Sequence, residues 1–125
     1  FAPMEQTAPW PTELRVTDEG RVLKISFDDG SSHELSAEYL RVESPSAEVQ
    51  GHGPGQRVTQ HGKRHVTIKQ IQPTGNYAVR ILFSDGHSTG IYSFSFLHEL
   101  GRDYPHKWAA YEAELASKGL RREPK

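Results

Sequence analysis

Two octapeptides share one design: Ile25-Ser26-Phe27-Asp28-Asp29-Gly30-Ser31-Ser32 and Ile81-Leu82-Phe83-Ser84-Asp85-Gly86-His87-Ser88. Each closes a run of alternating apolar residues and then turns at Asp-Gly. That pairing is a strong short-range hairpin signal, because glycine adopts the positive φ of a tight turn without steric cost. Each is followed by a return strand and a helical turn carrying Tyr39-Leu40 or Phe96-Leu97. The unit of strand, turn, strand and helix is therefore used twice, and hairpin convergence accounts for this as readily as duplication. Either origin confines the chain to an α+β fold: an antiparallel, hairpin-built β-sheet with short helices at its edge and a C-terminal helix.

Around these units the punctuation is regular. Leu14 to Val16 and Arg21 to Phe27 read as strands, and Ser32 to Leu35 returns after the first turn. Ser36 is placed to cap a helical turn. His65 to Ile71 and Tyr77 to Phe83 alternate on either side of Pro73-Thr74-Gly75-Asn76, and Ser88 to Tyr92 is the last strand. Ser93 can cap a short helix ending at Gly101, and Pro105 suits the first position of a final helix that Gly119 stops. Residues 1–12, with three prolines, read as an irregular arm that Trp10 pins to the core. Residues 13–118 form one domain and residues 119–125 a loose, charged tail.

At 125 residues the chain has room for one core, burying roughly two thirds of its unfolded surface. The hydrophobic share of 34% makes that core small. Fifteen basic residues against sixteen acidic ones leave none of the basic excess that nucleic-acid binders carry. With no cysteine, disulfides, thiolate metal sites and cysteine nucleophiles are excluded. No apolar run reaches a membrane span and no signal-peptide pattern is present, so a cytoplasmic protein is expected. Between the units lies a polar stretch of about twenty residues containing Gly51-His52-Gly53-Pro54-Gly55-Gln56. A loop that long is commonly functional or disordered.

Seven histidines invite a metal, yet no ligand spacing on a helix appears; His61 and His65, four apart, fall in glycine- and strand-rich sequence. No Gly-x-Ser-x-Gly elbow exists, and the glycine loop lacks the lysine and hydroxyl of a phosphate-binding loop. Catalytic residues are expected to be absent.

Leu40-Arg41-Val42-Glu43-Ser44-Pro45-Ser46-Ala47-Glu48-Val49, followed by Phe83 to Phe94, resembles the γ-butyrobetaine-hydroxylase-like N-terminal domain, a bacterial domain of unknown function 971. The likeness covers about residues 12 to 105. In the hydroxylases this module precedes an iron(II)/2-oxoglutarate catalytic domain, and in plants it is attached to an Mrp-type iron–sulfur carrier ATPase. The resemblance implies a zinc held by three cysteines, Cys-x-Cys-x-x-Cys, and one histidine. Those positions fall on Ser44, Ser46, Val49 and His87. Neutral hydroxyls are poor zinc ligands and valine is none, so Ser44 or Ser46 is expected to hydrogen-bond His87 in place of a metal. A chain of this length also has no room for an oxygenase domain.

The resulting expectation is a non-enzymatic cytoplasmic binding or adaptor module without a cofactor. Its binding surface would be Arg41, Ser44, Ser46, His52, Gln56, His87 and Tyr92. The partner would be another protein or a second copy of the chain, not nucleic acid or membrane. The alternative is a metal-binding protein of iron or iron–sulfur metabolism, holding zinc or iron through His87 and His52 with Glu43 or Glu48.

Overall fold

The computed structural model describes residues 10–50 and 58–123, apart from the side chains of Ala47 and Glu48. Strands β1 (Pro11–Thr17), β2 (Val22–Phe27) and β3 (Ser32–Ser36) form one antiparallel sheet in that order. Helix α1 (Ala37–Val42) and the single turn α2 (Ala47–Gln50) follow. A second antiparallel sheet orders β4 (Ile68–Thr74), β5 (Ala78–Phe83) and β6 (Gly90–Ser93), and leads into α3 (Phe94–Arg102) and α4 (Tyr104–Ser117). The α+β class read from the sequence stands, as two sheets of three strands.

The two units match in detail. Gly30 and Gly86 take φ of 89° and 92°, and their N–H groups donate to Phe27 and Phe83 carbonyls at 3.1 Å each. Asp29 Oδ1 accepts from the Ser31 N–H at 2.8 Å, and Asp85 Oδ1 from the His87 N–H at 3.1 Å. Ser36 and Ser93 cap α1 and α3, accepting from Tyr39 and Phe96 N–H groups at 3.0 and 3.1 Å. Each turn is then clasped by the other unit's helix. Asp29 Oδ2 lies 3.0 Å from His98 Nε2 on α3, and Asp85 Oδ2 accepts from Arg41 Nε on α1 at 2.9 Å.

The core lies between the units. Leu23, Ile25, Phe27 and Leu35 from the first sheet meet Val79, Ile81, Phe83 and Tyr92 from the second, with Leu40, Leu97 and Leu100 from the helices. A satellite cluster of Val42, Tyr111 and Leu115 seats α4.

Several element boundaries differ from the sequence reading. Strand β1 begins at Pro11, inside the supposed arm. Trp10 is anchored as expected: its ring meets Phe94 edge-on at 5.2 Å, and its carbonyl accepts from the Asp28 N–H at 2.8 Å. Strand β4 starts at Ile68 and runs through Pro73, which an edge strand tolerates because its missing N–H faces no neighbour. Helix α3 passes Gly101 and ends at Arg102, capped by Asp103. There glycine serves packing: a Cβ would fall 2.4 Å from Cγ of His33.

The tail is also held. Arg121 and Arg122 carbonyls accept from Gly62 and Arg64 N–H groups at 2.9 and 3.1 Å. Arg122 forms a two-point pair with the buried carboxylate of Glu38, at 2.8 Å in both bonds.

Alanine within a helix ordinarily gains about 1 kcal/mol over glycine. At Gly101 the His33 contact reverses the sign, and Gly101→Ala is expected to lose about 1–2 kcal/mol in urea unfolding through overpacking. In a His33→Ala background the same change becomes stabilising. A gain in the otherwise unaltered chain would refute the packing role.

Candidate functional site

Three segments converge beside the second Asp-Gly turn. The end of α1 brings Arg41 and Ser44, the start of α2 brings Ser46, and the turn after β5 brings Asp85 and His87. Ser44 Oγ lies 2.9 Å from His87 Nε2 and Ser46 Oγ 3.4 Å from the same nitrogen. The hydroxyls are 3.3 Å apart, and the Ser46 N–H donates to Ser44 Oγ at 3.3 Å. Gln50 ties the segment down by donating to the Ser44 carbonyl at 2.8 Å. Val49 is buried against this turn of chain. Opposite stands Gly90, where a Cβ would come within 2.6 Å of Ser44 Oγ; only glycine lets β6 pass so close.

Beneath the cluster is a charge network. Asp85 Oδ2 accepts from Arg41 Nε at 2.9 Å and Lys63 Nζ at 2.8 Å. Burial pushes the Asp85 carboxyl upward, but donation from Lys63, from the His87 N–H and from Arg41 outweighs it and holds the group at about 2. Tyr92 donates its hydroxyl to the Leu40 carbonyl at 2.5 Å, and burial drives its phenol well above the usual range. Arg41 Nη1 is buried without a hydrogen-bond partner among the described residues.

The structure thus gathers Arg41, Ser44, Ser46, His87 and Tyr92 in one place, and Ser44 and Ser46 reach His87 as the sequence suggested. It gathers them in the interior: all five are between 0 and 8% exposed. As described, they form a buried cluster rather than an open binding surface. His52, Gln56 and the Glu48 side chain lie outside the described residues. Glu43 is half-buried nearby. Among the described residues no three His, Asp or Glu side chains stand close enough to hold a metal ion. A serine hydroxyl beside an imidazole is the first half of a nucleophile–base pair. Here Asp85 engages the His87 main chain and two cations, and Ser44 is walled in by Gly90 and Tyr92.

Lys63, which no motif in the sequence singles out, is the second cation on Asp85. Asp85 was seen only as a turn residue. Nothing local marks a pair 22 residues apart.

The family model described as γ-butyrobetaine hydroxylase-like, N-terminal, matches residues 14–98. The chain belongs to this family. Two proteins solved in solution by NMR superpose with a TM-score of 0.81 each. One is 40% identical, over 94% of this chain and 93% of its own; the other is 43% identical, over 99% and 92%. A crystal structure from Acidithiobacillus ferrooxidans ATCC 23270, of a protein of unknown function in the DUF971 family, is 37% identical. It covers 73% of this chain and 91% of its own with a TM-score of 0.60. No curated protein matches the chain. Among the described residues no helix is long and apolar enough to cross a membrane.

The depressed carboxyl of Asp85 makes a signed prediction. A group whose folded pKa of about 2 lies below its ordinary 3.8 adds stability that is present above pH 4 and lost as pH falls toward 2. Discounted for partial exposure, the amount is about 1–2 kcal/mol. Asp85→Asn should therefore lower stability at pH 7 and flatten the difference from the parent chain between pH 4 and 2, measured by chemical unfolding. Parallel acid limbs for the two would count against the network.

Proposed function

We propose that this γ-butyrobetaine-hydroxylase-like domain is a non-enzymatic cytoplasmic binding module whose partner is another protein or a second copy of itself. One observation carries the reading: Ser44, Ser46 and His87 close on one another in the interior. In the family likeness these positions, with Val49, correspond to a zinc site. Here they supply hydroxyls, an imidazole and an apolar side chain, a set that satisfies itself by hydrogen bonding and binds divalent cations poorly. The cluster then replaces a metal staple, and recognition falls to the outer face of the domain.

Two measurements test this together. Elemental analysis of dialysed, untagged protein should give metal far below one ion per chain. Ser44→Ala, which deprives buried His87 of a partner, should lose about 1–3 kcal/mol of stability. The same variant should keep its affinity for a partner first captured and then purified. Stoichiometric metal, or partner binding lost while stability is unchanged, would make the cluster itself the working site and overturn the proposal.

A further inference from the structure

A second feature lies away from this cluster, in a half-open groove of about 610 Å³ between the start of β2, the start of α1, residues 64–66, the first turns of α4 and the tail. Recognition sites for small ligands fall in the same range of volume. Arg21, Arg64, Arg122 and His65 line it, against one carboxylate, Glu38. Glu38 is fully engaged by Arg122, whose guanidinium also lies 5.2 Å from the centre of the Trp108 ring. Arg21 and Arg64 have only weak partners. Asp18 is 4.0 Å from Arg21 with both groups mostly exposed, and Glu123 pairs with Arg64 at 2.9 Å with both about half exposed. Exposed pairs of this kind contribute little and exchange readily.

Glu123 marks the chemistry. Its carboxylate bridges Arg64 and, at 3.7 Å, His65, so two residues that line the groove already meet a carboxylate supplied by the chain's own tail. Tyr104, 40% exposed, adds aromatic surface to the lining. We propose that this groove receives an acidic segment of a partner protein, with an apolar side chain against Tyr104 and carboxylates on Arg21 and Arg64, displacing Glu123. The proposal rests on the binding-module reading. Nucleic acid fits less well, since stacking of bases needs open ring faces. Trp108 instead carries Arg122 nearby and Tyr104 stacked at 6.0 Å and 20°.

The probe is a synthetic peptide of alternating glutamate and leucine, titrated into the full chain at low salt and followed by backbone and indole NMR shifts. Saturable shifts centred on Arg21, Arg64, His65 and Tyr104 are expected. The charge reversal Arg21→Glu with Arg64→Glu, both at exposed positions, should weaken binding at least about tenfold. Glu123→Ala should tighten it about two- to fivefold, as removal of a weak internal competitor requires. No saturable binding, affinity unmoved by the reversal, unchanged or weaker binding in Glu123→Ala, or tighter binding of a single-stranded oligonucleotide would each overturn the proposal. If the reversed chain still binds its captured partner normally, the groove fails while the module reading survives. A stoichiometric metal would remove the module reading whatever the groove binds.

Discussion

The crossed clasp between the two hairpin units is the constraint from which the architecture follows. Asp85, on the second turn, takes the guanidinium of Arg41 from the first helix. Asp29, on the first turn, takes the imidazole of His98 from α3. Arg41 is almost wholly buried, and removing one partner of a buried pair leaves a charge that costs several kcal/mol to keep dry. The Arg41–Asp85 pair therefore penalises any other packing of the two units. The driving force comes from apolar side chains of both sheets, Leu23, Ile25, Val79 and Ile81 among them, packed into one core. Neither unit would bury that face alone.

Placement of the serine–histidine cluster depends on the same clasp. With Asp85 held by Arg41 and Lys63, its second oxygen accepts from the His87 N–H and so fixes the backbone that carries the imidazole. Ser44 follows α1 by two residues and arrives from the other side, with Gly90 leaving just enough space. The geometry joins Ser44 to His87, 43 residues on, and an error in either segment would leave a buried polar atom without a partner.

What could be read from the residues divides along sequence separation. Turns at Gly30 and Gly86, caps at Ser36 and Ser93, and the alternation of β2 and β5 are local, and all were legible. Gly101 looks like a helix end because helix-ending chemistry is local, whereas its reason, the ring of His33, lies on β3 of the first sheet. The tail looked loose because Glu38, the carboxylate that holds Arg122, is 84 residues away. Meeting of Ser44 and Ser46 with His87 was anticipated through family likeness, not periodicity. Their burial was not: two serines and a histidine in polar sequence read as surface until the packing around them is known.

The hydroxyl–imidazole latch has a consequence for the conditions in which the domain can persist. Thiolates are consumed by peroxide, and a fold stapled through them fails under oxidative stress. Serine oxygens and a histidine ring offer no sulfur to that chemistry. The corner of the fold where α1, α2 and the second hairpin meet is thereby indifferent to the redox balance of its surroundings.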